Sequence, residues 1–143
     1  MDWLPLRLHP GSDLRRAIEA AVAAQGLQAA FVVCGIGSLR PAVLRLAGAQ
    51  DSLRLDADVE ILTLSGSVAG EGGSHLHLSV SDASGRVLGG HAGLGCTVRT
   101  TVELLLAPLP DWRFTRELDA ATGYAELKAQ IKVEAPAAAG QRP

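Results

Sequence analysis

Aromatic side chains are scarce in this sequence: Trp3, Phe31, Trp112, Phe114 and Tyr124 are all that it has. A folded core must therefore be aliphatic and rich in alanine. Cysteine is scarcer still. Cys34 and Cys96 lie far apart, each inside an apolar stretch, where free thiols behave as small core residues; a disulfide or a metal ligand is the lesser alternative. No apolar run approaches the ~20 residues that a membrane span requires. The opening Met1-Asp2-Trp3-Leu4-Pro5 lacks the basic stretch and apolar run of a secretory signal, so the expected location is cytoplasmic.

Basic charge is equally thin. The net charge is −2 and the pI about 6.0, whereas a general nucleic-acid surface shows as a basic patch, with a domain pI above ~9. Arg7, Arg15, Arg16, Arg40, Arg45 and Arg54 are scattered rather than gathered in a run. Several chemical signatures are missing too. Gly35-Ile36-Gly37-Ser38 lacks the third glycine and the following helix of a dinucleotide site. There is no Gly-Lys-Ser or Gly-Lys-Thr phosphate loop, no nucleophile elbow and no paired-cysteine zinc motif.

What is present suits one ordinary domain. A chain of 143 residues buries roughly 70% of its unfolded surface, and 48% apolar with 20% charged residues is a globular composition. We place the domain at residues 1–132 and expect the Ala- and Pro-rich residues 133–143 to be a disordered tail.

Leu4, Leu6 and Leu8 alternate with Pro5 and Arg7, the period of a strand with one buried face, and Pro5 suits an edge. After His9-Pro10-Gly11, Ser12 can cap a helix with Asp13 in its first turn. Leu14, Ala17, Ile18, Ala21 and Val22 form its apolar stripe, and Gly26 ends it. Strands follow: Ala29 to Cys34, a break at Gly35 to Ser38, then Leu39 to Ala47, Val59 to Val68, His75 to Ser81, Arg86 to His91, Thr97 to Ala107 and Trp112 to Leu118. Tyr124 to Lys132 reads as a short closing helix. About seven strands joined by short turns, with one main helix, make an α+β fold with a largely antiparallel sheet.

Three histidines carry the chemistry. His75 and His77 are two apart on one strand, so both leave the same face, with Cα atoms roughly 6.6 Å apart. Imidazoles at that spacing can lean onto one ion at about 2.0–2.1 Å. Asp82-Ala83-Ser84-Gly85 has hairpin composition, and the returning strand ends at Gly89-Gly90-His91. A turn centred near residues 83 and 84 puts positions near 92 and 90 opposite His75 and His77. His91 is then at the right height on an unfixed face, and the glycines permit a bulge that would re-aim it. Three histidines with the fourth position left for water or substrate is the pattern of a catalytic zinc site. The plainer alternative is a polar strand face with His91 in the core; His9 is a surface residue.

Glu60 shares a face with Leu62 and Leu64, and Glu103 also lies in an apolar strand. Each would be a costly unpaired charge, met by a salt bridge with Arg99 or Arg116 or by a bond to a histidine. Either is also a candidate general base beside a metal.

Several segments resemble the plants-and-prokaryotes-conserved (PPC, DUF296) family: Gly37-Ser38, Glu60 to Gly66, His75 to Asp82 and Gly85 to His91. The likeness continues through Gly95, Val98, Thr101 and Glu103 to Arg116, Asp119 and Thr122-Gly123. The resemblance implies a compact α+β fold, a homotrimer and a metal ion, zinc, at His75, His77 and His91. Prokaryotic members carry a DNA-binding label. Plant members lack the histidines and bind DNA through AT-hooks outside the domain, whose Arg-Gly-Arg-Pro core is absent here. The fold is also similar to that of acetolactate decarboxylase, a zinc enzyme. The expectation is a trimeric metal-binding domain acting on a small molecule, with DNA binding as the alternative.

Overall fold

A computed structural model describes residues 2–132 of the chain; the expected tail lies outside the described residues. The alternating apolar positions do become strands, but ten of them rather than seven: β1 (Leu4–Leu8), β2 (Ala29–Leu39), β3 (Ala42–Arg45), β4 (Leu53–Leu55), β5 (Val59–Ala69), β6 (Ser74–Ser81), β7 (Val87–Ala92), β8 (Val98–Pro108), β9 (Trp112–Leu118) and β10 (Ala125–Ile131). One helix, α1 (Leu14–Ala24), joins β1 to β2. The class is α+β, and the strand pairings are antiparallel. No helix among the described residues is long and apolar enough to cross a membrane.

The main sheet has eight strands in the order β1-β8-β2-β5-β6-β7-β3-β4, and β9 and β10 form a separate ribbon. β1 sits at an edge, where the missing N–H of Pro5 is harmless. Leu14, Ile18 and Val22 of α1 are fully buried and join Leu39, Leu64, Leu76 and Leu106 from the strands in one aliphatic core. Phe114, against Ala29 and Ala69, anchors the ribbon; it is the one buried aromatic side chain among the described residues.

Four local expectations are corrected. Gly35 to Ser38 does not break its strand: β2 continues to Leu39, with register irregularities at Val32/Cys34 and Gly37/Leu39 that absorb the glycines. The irregularity at Cys34 also leaves its thiol exposed, while Cys96 is buried as expected, its sulfur 3.2 Å from the Val43 amide. The helix cap is Asp13, whose Oδ1 accepts from the Arg16 N–H at 3.0 Å, rather than Ser12. The segment expected to be a closing helix is instead β10, paired along its length with β9. A helix that short is marginal alone, and β9 offers a full set of backbone partners.

Candidate metal centre

The site is built on the β6–β7 hairpin. Leu76, Leu78 and Val80 turn into the core, which leaves His75 and His77 on the outer face. At the turn, Asp82 accepts hydrogen bonds from the Ser84 hydroxyl (2.6 Å), the Ser84 N–H (2.9 Å), the Arg86 N–H (3.1 Å) and the Arg86 side chain (3.0 Å). Those bonds, the Ser84 hydroxyl foremost, hold its carboxyl at about 2.

This five-residue turn fixes the register from Ser81↔Val87 to His77↔His91. His91 thus stands directly opposite His77, one step from the position that a centred turn would give. Because a one-residue slip reverses the face of every side chain, that step decides whether the third ring joins the other two. No bulge is involved. The glycines serve another purpose: a Cβ at Gly90 would lie 2.6 Å from the Arg45 carbonyl oxygen, so Gly90 lets β3 approach beside His91.

The three rings converge. His75 Nε2 lies 3.1 Å from His77 Nε2 and 3.0 Å from His91 Nδ1, and the last two nitrogens are 3.2 Å apart. Burial pushes the His75 and His91 imidazoles below the ordinary histidine range, reinforced by Arg116 at His75 and Arg45 at His91. Three ring nitrogens this close to one another are spaced to share one cation. The size also fits: an ion about 2.05 Å from each nitrogen would subtend angles near ~100°, close to tetrahedral. The residues present therefore suit a transition-metal ion of zinc's size.

The carboxylates are elsewhere. A bulge between Ile61 and Thr63 separates the face of Glu60 from that of Leu64, so Glu60 is exposed rather than set among aliphatic groups. It pairs with Ser81, far along β5 from the Ser65 that faces His77. Glu103 is exposed on β8, opposite Arg7 and Ile36, and β2 and β5 lie between it and β6. The arginines expected to meet them have other partners: Arg99 pairs with Asp58, and Arg116 donates to the Ser67 hydroxyl.

Sequence reasoning missed what surrounds the rings. A pocket of about 750 Å³ opens beside His75 and His91, lined also by Arg15, Arg45, Arg116, Tyr124 and Glu126. These come from α1, β3, β9, the turn after β9 and the start of β10, and no local spacing links them.

Residues 1–110 match the Plants and Prokaryotes Conserved (PCC) domain. The chain belongs to that family. Among curated proteins, this PCC domain is similar to the bifunctional protein GlmU of Synechococcus sp. (strain JA-3-3Ab), at 47% identity over 96% of the chain. It spans about a fifth of the length of that relative, 22%. Among solved structures, a hypothetical protein from Salmonella cholerae-suis shares 39% identity and a TM-score of 0.88, covering 92% of this chain and 95% of that one. A protein from Archaeoglobus fulgidus, described as metal-containing, shares 28% identity and a TM-score of 0.76, over 88% of this chain and 92% of its own.

Proposed function

We propose that this PCC domain binds one zinc ion through His75, His77 and His91 and, as a homotrimer, binds or transforms a small molecule in the adjoining pocket. The triangle of nitrogens, 3.0–3.2 Å on a side, carries this reading. The metal-containing relative from Archaeoglobus fulgidus supports it. A zinc ion held by these three histidines would supply a Lewis acid for an oxygen of the small molecule. The protein's own part is positional. The hairpin sets the three rings, and α1 steadies the start of β6: Glu19 Oε1 accepts from the Ser74 N–H (2.9 Å), the Ser74 hydroxyl (2.6 Å) and Arg15 Nε (3.0 Å).

The trimer is supported by an uncovered apolar face. Phe31, Val33 and Ile36 of β2 are 39%, 42% and 59% exposed, and Leu62 on the neighbouring β5 is 48% exposed. Grouped apolar exposure of this kind marks an interaction surface. Duplex DNA as a partner has weaker support, because Arg40, Arg54, Arg86, Arg99, Arg113 and Lys128 are each paired with a carboxylate.

Metal analysis of protein purified without chelators, beside a His77→Ala variant, tests the reading. One zinc per chain in the native protein and none in the variant is the expected result. Native protein devoid of metal would remove the basis of the proposal. For the assembly, analytical ultracentrifugation should give three times the 14.8 kDa chain mass, and a monomer at micromolar concentration would refute it.

A further inference from the structure

We infer that the ligand of this pocket is a small molecule bearing an oxyanion, a carboxylate or a phosphate, and that Arg45 and Arg116 receive it beside the histidines. The inference rests on the three-histidine reading for the ion but on separate residues for the anion.

Arg45 faces His91 across the β3–β7 pairing. Arg116 reaches Ser67, which in turn faces His75 across β5–β6, its Nη2 donating to the Ser67 hydroxyl at 2.6 Å. Two guanidinium groups therefore flank the ring cluster from opposite sides, and both line the same pocket. Among the described residues, neither is in an ion pair, whereas Arg15 in the same pocket is bound to Glu19 at 3.0 Å. The backbone is shaped around Arg116: Gly72 has φ +93°, and a Cβ there would lie 3.0 Å from Arg116 Cγ. A side chain at residue 72 would press on the stem that aims the guanidinium.

The charge balance points the same way. With Arg15 met by Glu19, the pocket still holds Arg45 and Arg116 against the single carboxylate Glu126. An ion on the histidines adds further positive charge. Guanidinium groups match carboxylate and phosphate oxygens with paired hydrogen bonds, and a pocket of about 750 Å³ is of metabolite size. Both arginines are half-buried in this recess. That setting suits a compact anion better than the backbone of a duplex, which needs cations spread over an outer surface.

Isothermal titration with malonate and with inorganic phosphate tests this on zinc-loaded protein freed of excess metal and on metal-free protein. Arg45→Gln and Arg116→Gln are each expected to weaken binding of at least one anion tenfold or more. Zinc content and melting temperature should stay unchanged, and Arg45→Lys should restore part of the loss. Arginine-dependent binding that survives in metal-free protein would uphold the inference even if the zinc reading failed. Equal affinity in wild type and both glutamine variants would overturn it, since the ion alone would then hold the anion. So would failure to bind either anion, or arginine-dependent affinity for a DNA duplex only.

Discussion

His77 is the residue on which the cluster turns, since it stands across from His91 and shares a strand face with His75. Removing one of three ligands leaves an ion with two, so His77→Ala should lower zinc affinity at least a hundredfold in competition with a chromophoric chelator. The metal-free variant should be no less stable than the metal-free parent, because an exposed ring that crowds two others contributes little to the fold. A drop in melting temperature of the metal-free form would show that the rings are structural instead. Asp82 gives a second test at this scale. Its carboxyl is held at about 2, below the usual 3.8. The turn's stabilisation is thus complete above about pH 4 and fades as pH falls toward 2. Amide shifts of Ser84 and Arg86 should titrate with a midpoint near 2, and a midpoint near 4 would show that the turn bonds are not formed. The histidine spacing was legible in the sequence. The face of His91 was not, because it depends on turn length, and Arg45 and Arg116 were invisible as partners because only the sheet order brings β3 and β9 to the same pocket.

Among the elements, α1 is tied down at its N-cap. Asp13 Oδ1 accepts from the Arg16 N–H and its Oδ2 from the Gly95 N–H at 2.6 Å, so one carboxylate caps the helix and holds the loop before β8. Asp13→Ala should destabilise the domain by about 1–2 kcal/mol in urea unfolding, and Asp13→Asn, which keeps an acceptor, by less. No difference between the two would rule out the cap as the cause. Elements with several buried alternations, β1, β5, β6 and β8, could be read directly from the sequence. β4 spans only Leu53–Leu55, too short for a period to show. β10 was misjudged because its burial is slight and its partner β9, not its own pattern, makes it a strand.

The whole molecule depends on the stripe of Leu14, Ile18 and Val22 against the sheet. Ile18 is fully buried, so Ile18→Ala should cost about 2–5 kcal/mol of stability. The apolar face on β2 and β5 predicts a different outcome: Ile36→Glu should yield a folded monomer by sedimentation with zinc affinity retained. A trimer that persists would place the contact elsewhere. Fold class was visible at this scale from composition and turns alone, whereas the proposed assembly rests on which apolar residues are left outside, and only the strand pairing shows that.

The pairing of β1 with β8 joins Leu4 to Leu106, a closure across roughly a hundred residues of chain, whose entropic cost exceeds that of a hairpin though it grows only slowly with length. The imidazole hairpin closes within a small fraction of that distance. During synthesis from the N-terminus, the first strand therefore waits for one of the last, while the histidine hairpin is complete before β8 is made. A nascent chain would have its three imidazoles in hand before it had a finished sheet to set them in.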